Sequence, residues 1–366
     1  MSRPRVLVTT PDFPPAVGGI QRLIGELVAN AGGWETLVVT LDHPDAASAS
    51  ARPTHRVTTA RGLRRTTMAR LNAASIRKGL AWRPDAVICG HIVTSPAALW
   101  LGRRLRVPTV QYAYAMELGH RPALARFALA RSTATIVLSQ HAAQVARTAG
   151  ADPARLHVIP PGVDVATAAP DRAGNNGPPT ILTVARLADR YKGFDVMLRA
   201  MPLVRARVPG VRWVVIGEGP LRGELERTAR AWSLHDSVVF AGHVSREELD
   251  GWFACAHVLA MPSRLPADGG GEGYGLVYLE AAARGLPSVA GDRGAAAEAV
   301  VHGETGLLVD ATDHVATAGA LVELLTDAER ASALGAAGRE RARMLTWERM
   351  AASTEALVAD LIASRP

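Results

Sequence analysis

With 366 residues, 48% of them hydrophobic and 20% charged, the chain exceeds one ordinary core and fits two domains, which excludes a disordered or membrane-spanning protein. No apolar run nears the roughly 18 residues that cross a bilayer, and the apolar part of MSRPRVLVTTPDFPP is too short for a signal peptide. The net charge of +7 divides unevenly, with 20 Lys/Arg against 9 Asp/Glu in residues 1–170 and 21 against 25 in residues 171–366, so the first half should meet something anionic.

RVLVTT (Arg5–Thr10) reads as a short buried strand. Pro11, Pro14 and Pro15 forbid helix directly after it, and Gly18-Gly19 then opens an amphipathic helix carrying Ile20, Leu23, Ile24, Leu27 and Val28. Strand, Gly-rich turn and helix make the first unit of a doubly wound sheet. At the carboxyl end of a first strand the glycine pair suits close approach of a ligand better than a plain turn. Strands follow at Glu35–Leu41, Asp85–Cys89, Thr109–Tyr112 and Thr135–Leu138, separated by helical stretches. Arg61, Arg64, Arg65, Arg70, Arg77 and Lys78 fall on one such helix and the loop before it. An anionic membrane surface, a phosphorylated acceptor and a merely solvated face all account for them. Nucleic acid is not expected, because aromatic residues are few and no binding motif is present. Cys89 and Cys255, far apart in apolar surroundings, read as buried small hydrophobes of a reducing compartment, which points to the cytoplasm.

LHVIPPGVD (Leu156–Asp164) continues the alternation until Pro160-Pro161-Gly162 turns it, and Val165–Pro179 reads as a linker. A second strand series follows: Thr180–Arg186, Val211–Pro220 ending in a Gly turn, Ser237–Phe240, His257–Met261, SVAG, and GLLVD before two terminal helices. The expected architecture is α/β, two domains with parallel sheets facing across a cleft, residues 1–165 and 166–347, with a C-terminal helix at about 348–366. GEGPLRG (Gly217–Gly223) has the wrong glycine spacing for a dinucleotide fingerprint, and no P-loop, nucleophile elbow, HExxH, CxxC or Asp-x-Asp is present. No metal or cofactor is expected.

The densest stretch is PSRLPADGGGEGYGLVYLEAAARGLPSV (Pro262–Val289), a strand end, a Gly-rich loop and a short helix. Backbone N–H groups at such a helix start suit an anion such as phosphate. Glu272 and Glu280 repel phosphate, but carboxylates accept hydrogen bonds from sugar and ribose hydroxyls. A capped helix with two surface glutamates is the plainer alternative.

PPAVGGIQR, VIPPGVD, VARLADRYKGFD, VVIGEGP, VVFAGHVSREEL, AMPSR and EGYGLVYLEAAARGLPSV together resemble the retaining, nucleotide-sugar-dependent glycosyltransferases of family 4, which have the GT-B architecture of two Rossmann-like domains. The resemblance spans nearly the whole chain, and Arg186 and Lys192 upstream of Glu272 and Glu280 make it specific. It implies that Arg186 and Lys192 grip the donor diphosphate, that Glu272 holds donor-sugar hydroxyls, and that Glu280 takes the ribose. Backbone from Gly273 through Tyr274 and Gly275 to Leu276 then helps bind sugar and phosphate. Gly18 and Gly19 approach the diphosphate and acceptor, and Val244 lies against the base. Two cations and a helix N-terminus can stabilise the charge developing on a diphosphate leaving group without metal. The implied reaction retains anomeric configuration by front-face attack, the leaving phosphate assisting as base.

One departure stands out. The family's His-Gly-x-Glu/Asp pattern reads here as Tyr114, Ala115, Met116, Glu117, and His120 further on is expected at the surface. The acceptor side, Tyr114, Glu117 and His120, is thus less defined than the donor side. The implied co-substrate is GDP-mannose or a UDP-sugar, and the implied acceptor a small natural product, a polysaccharide precursor or an anionic lipid. The stretch Ser263–Gly306 resembles the corresponding region of phosphatidylinositol mannosyltransferases, a look shared with transferases that decorate small natural products or build extracellular polysaccharide, and the basic half suits peripheral contact with the inner membrane face. A nucleotide-sugar epimerase or hydrolase, and a non-catalytic nucleotide-sugar-binding protein, are the competing readings.

Overall fold

The computed structural model describes residues 3–45, 54–57, 64–165, 177–266 and 270–365. They form two compact units: Met1–Gly162 with Asp268–Gly273 and Trp347–Pro366, and Val163–Ala267 with Tyr274–Thr346. Most of the expected linker, residues 166–176, lies outside the described residues.

The first unit contains strands β1 (Arg5–Thr9), β2 (Glu35–Leu41), β3 (Thr54–Val57), β4 (Ala86–Cys89), β5 (Thr109–Tyr112), β6 (Ala134–Val137) and β7 (Leu156–Val158). They pair in parallel in the order β3-β2-β1-β4-β5-β6-β7. Between them run helices α1 (Gly19–Asn30), α2 (Arg64–Trp82), α3 (Ser95–Leu105), α4 (Ala115–His120), α5 (Pro122–Arg131) and α6 (Gln140–Thr148). The apolar runs are strands because both sheet faces are covered, and β4, β5 and β6 are buried at every position. Leu23, Ile24, Leu27 and Val28 of α1 are buried while Ile20 is partly exposed. β3 (THRV) was not expected from the sequence: it is a half-buried edge strand with a single apolar residue, so it lacks the signal of a central strand.

The second unit holds β8 (Thr180–Val184), β9 (Arg212–Ile216), β10 (Val238–Gly242), β11 (Val258–Met261), β12 (Ser288–Gly291) and β13 (Gly306–Val309), all parallel, in the order β10-β9-β8-β11-β12-β13. Its helices are α7 (Phe194–Arg207), α8 (Arg222–Ala231), α9 (Arg246–Cys255), α10 (Leu276–Ala283), α11 (Ala296–Ala299), α12 (His314–Thr326) and α13 (Ala328–Arg343). The buried Trp213 indole donates to Thr183 Oγ1 (2.9 Å), and that hydroxyl donates to the Ala260 carbonyl, tying β9, β8 and β11 together. α14 (Trp347–Ala363) belongs to the first unit, where it packs on α1 and its Thr354 Oγ1 lies 2.9 Å from the buried Tyr112 hydroxyl. The two terminal helices expected after β13 are thus three, because Asp327 caps a new helix, its carboxylate accepting from Arg330 N.

With all strands parallel, the progression of strand order across each sheet reverses once, between β1 and β4 in the first and between β8 and β11 in the second. Crevices at the carboxyl ends of such strand pairs are where open α/β sheets bind ligands.

Candidate active site

In the second unit the β8–α7 connection carries both expected cations. Arg186 is exposed and lies 3.2 Å from Asp189, and Lys192, half-buried, ends a 3-10 turn with its ammonium 5.3 Å from the Tyr191 ring. The connection is held by backbone. Ala185 N donates to Ile216 O, Leu187 N to Glu218 O, and Leu221 N to Leu187 O, at 2.8–3.0 Å. Gly217 has φ +134°, and a Cβ there would overlap the Ala185 carbonyl. Its glycine therefore serves close packing against the Arg186 loop, which is the physical content of the near-fingerprint in the sequence. Gly217 N also donates to Gly242 O (2.8 Å), joining this loop to the turn where half-buried Val244 precedes the capping box of Ser245 and Glu248.

Gly193 (φ +80°) brings the Lys192 turn against the Pro262 carbonyl after β11, where no Cβ would fit. Arg264 fastens the same contact. Its backbone N donates to Tyr191 O (2.8 Å), its guanidinium to Arg190 O (3.1 Å), and both terminal nitrogens to the Asp195 carboxylate. Burial alone would raise the Asp195 pKa, but the hydrogen bonds and charge of Arg264 hold it below its ordinary value.

Beyond β11, buried Tyr274 and Gly275 lead into α10, with Leu276 first and Glu280 one turn on, half-buried. Gly275 takes φ +81°, and a Cβ there would meet the Tyr278 ring at 2.6 Å. Tyr278 in turn donates its hydroxyl to Met261 O, anchoring α10 to the end of β11. Arg186, Lys192, Val244 and Tyr274–Glu280 thus share the carboxyl end of one sheet. Glu272 and Gly273 group with the first unit, although the elements on either side are in the second. There Gly273 O accepts from Ser139 Oγ at the start of α6 (3.0 Å), and Gly270 O lies 3.3 Å from His141 Nε2. Gly273 needs no special freedom, since its Cβ would meet only Leu138 at 3.9 Å.

In the first unit Gly18 (φ +157°) caps α1, with Gly19 exposed behind it. The Gln21 amide on α1 donates to Asp12 Oδ1 (2.7 Å). His120 is exposed at the end of α4, and Tyr114 is buried, its hydroxyl without a hydrogen-bond partner among the described residues. Glu117, 8% exposed, accepts from Tyr114 N (3.1 Å) and Ile92 N (3.3 Å). Its closest polar neighbour is a residue the sequence reading missed: His91 Nδ1 lies 2.9 Å from Glu117 Oε2. Val93 N–H also points at that nitrogen from 3.2 Å, but the carboxylate is nearer and charged, so Nδ1–H donates to Glu117. His91 Nε2 faces Asp12 Oδ2 at 4.0 Å. Burial disfavours the imidazolium, yet Glu117's charge and hydrogen bond, with Asp12, outweigh it and the opposing Arg121, so the His91 pKa is raised.

The basic cluster is also in this unit. Arg70 and Arg77 of α2 line a 530 Å³ depression with His55 and Arg56. Burial, then Lys78 and Arg77, lowers the His55 pKa, as a positive field should. Arg61 and the side chains of Arg64 and Arg65 lie outside the described residues. Among the described residues no helix is long and apolar enough to cross a membrane. Cys89 is fully buried, with burial pushing its thiol up to about 12, Cys255 is half-buried, and neither forms a disulfide.

The family model described as Glycosyltransferase Family 4 matches residues 17–167, and that described as Glycosyl transferases group 1 matches residues 178–327. The chain is 35% identical, over 92% of its length and 93% of the relative's, to a GDP-mannose-dependent alpha-(1-6)-phosphatidylinositol monomannoside mannosyltransferase of Mycobacterium tuberculosis. It is 31% identical, over 94% of its length and 95% of the relative's, to the monoacylated-substrate counterpart of Corynebacterium glutamicum. Among solved structures, sucrose-phosphate synthase from Thermosynechococcus elongatus superposes with a TM-score of 0.82 at 25% identity, covering 99% of this chain and 100% of that one.

Proposed function

The chain belongs to glycosyltransferase family 4, with the GT-B fold and a nucleotide sugar as donor, and from that premise we propose that it transfers mannose from GDP-mannose to a hydroxyl of an anionic lipid acceptor. Transfer retains configuration and needs no metal. The observation that carries this reading is the placement of Arg186 and Lys192 on one glycine-stitched connection at the switch-point end of the second sheet. Two cations on a rigid loop, with the α10 N-terminus at the same sheet end, are suited to a diphosphate and to the charge that grows on it as the sugar leaves. Glu280 takes the ribose hydroxyls, Glu272 the sugar hydroxyls, and Val244 the base. For Gly18 and Gly19 a role at the diphosphate rests on the family resemblance alone.

GDP-mannose and the lipid are supported by the two mannosyltransferases above, whose names specify a phosphatidylinositol monomannoside. The basic depression beside α2 suits anionic headgroups at the cytoplasmic membrane face. A donor panel of GDP-mannose, UDP-glucose and UDP-N-acetylglucosamine, read by thermal shift, should stabilise the protein with GDP-mannose most. NMR coupling constants of the product should report the donor's anomer, and an inverted product would overturn the mechanism. Low-salt binding to vesicles containing phosphatidylinositol should exceed binding to neutral vesicles. Equal binding would remove the membrane part alone.

A further inference from the structure

At the switch point of the first sheet, Asp12 follows β1, His91 follows β4, and Tyr114 and Glu117 follow β5, three neighbouring strands. Their polar atoms are not equally available to a ligand. The Tyr114 hydroxyl is sealed from solvent, and Glu117, with its side chain 7% exposed, has three donors on its two oxygens. The His91 and Asp12 side chains are the more exposed, at 18% and 24%. Their 4.0 Å separation is too long for a direct hydrogen bond and fits one oxygen held between them.

We propose that His91 is a specificity-determining residue of the first unit: its Nε2–H donates to a hydroxyl oxygen of a polyhydroxylated ring while Asp12 accepts that hydroxyl's proton, with Glu117 fixing the imidazole from behind. The chemistry favours a polyol over an anion. A hydroxyl both accepts from Nε2–H and offers a proton to the Asp12 carboxylate, whereas a phosphate oxygen brings that carboxylate no proton. Glu117 is here a positioning residue, since it reaches the ligand only through the ring. Charged groups bearing on the ring are Glu117, Asp12 and Arg121, and the first two keep the proton on it above the pH at which a free histidine loses it.

The ligand is the acceptor of the transfer proposed above, so its role as acceptor rests on that reading, whereas polyol binding does not. The test compares the full chain with His91→Gln, His91→Ala and Asp12→Asn. In the unmodified protein the His91 ring resonances should move on adding myo-inositol or methyl α-mannoside, and Asp12→Asn should weaken that response. Loss of a hydrogen bond from a charged donor should raise the acceptor KM about tenfold or more in His91→Ala, with the affinity for GDP within about twofold. The kcat/KM for acceptor should fall at alkaline pH in the unmodified chain, and that limb should flatten in His91→Gln. If no donor is turned over, the transfer reading fails while the resonance shift still decides polyol binding. Unmoved His91 resonances, an unchanged acceptor KM, or equal losses of acceptor and GDP affinity would overturn the proposal.

Discussion

The two switch points share one topology and are built from different materials. At β8 and β11 the ends are fastened mainly by backbone: Gly217 against Ala185, Gly193 against Pro262, and Gly217 N on Gly242 O. Arg186 is left mostly exposed. At β1 and β4 the ends are organised by partly buried side chains, Glu117 on His91 and Gln21 on Asp12. A backbone-built loop can hold long cations in place whatever their protonation. A side-chain network adds recognition of particular hydroxyls but makes the site dependent on pH.

The strongest way to break this contrast is at the cations. Lys192→Ala should lower transfer about 10²–10³-fold and weaken GDP binding with it, as for loss of a group that stabilises a developing anion. Calorimetry on GDP and steady-state rates would check this, and retained activity would remove Lys192 from the donor clamp. Next comes the glycine scaffold. Gly217→Ala places a Cβ into the Ala185 carbonyl at φ +134°, so it should cost about 2–4 kcal/mol in urea denaturation. Gly273→Ala, with only Leu138 at 3.9 Å, should stay within about 0.5 kcal/mol. A comparable loss at both positions would mean the backbone fit is not what holds the loop.

A smaller effect is expected at the latch. Arg264→Ala leaves Arg186 and Lys192 intact but frees the Tyr191 turn, so the donor KM should rise about three- to tenfold with kcat less affected, and Arg264→Lys should recover part of it. The smallest effects are on stability, and their signs oppose. Asp195, held below its ordinary 3.8, contributes stability above that value that is lost as pH falls through its lowered pKa. His91, raised above 6.5, contributes below 6.5 and loses it as pH climbs through its raised pKa. Melting curves should therefore show Asp195→Asn flattening only the acid limb and His91→Gln only the alkaline one.

Much of this was legible in the sequence for a physical reason. Parallel strands buried on both faces read as apolar runs, so twelve of the thirteen strands among the described residues were visible, and β3, a polar edge strand, was not. Arg186 and Lys192 were placed at a strand end and helix start by local pattern, but only the family resemblance singled them out, because cations at such a place are commonly just solvated. His91 was not legible, because its partners Asp12 and Glu117 are distant in sequence and only sheet order unites them. The one available signal was its place directly behind the buried run AVIC-Gly, at a strand's carboxyl end. The grouping of Glu272 and Gly273 with the first unit is likewise a matter of tertiary contacts, which no spacing rule reports.

The position of α14 bears on how the protein is made. Synthesis proceeds from the N-terminus, yet the first unit stays incomplete until the last helix emerges, for only then does Tyr112 meet Thr354 and Arg22 lie over Trp347 at 5.4 Å. The second unit, encoded in between, has all its elements earlier. Its sheet can close while a buried tyrosine hydroxyl and the outer face of α1 still await their cover. Translation that stops after Thr346 would therefore leave the Tyr112 hydroxyl and α1 without that cover.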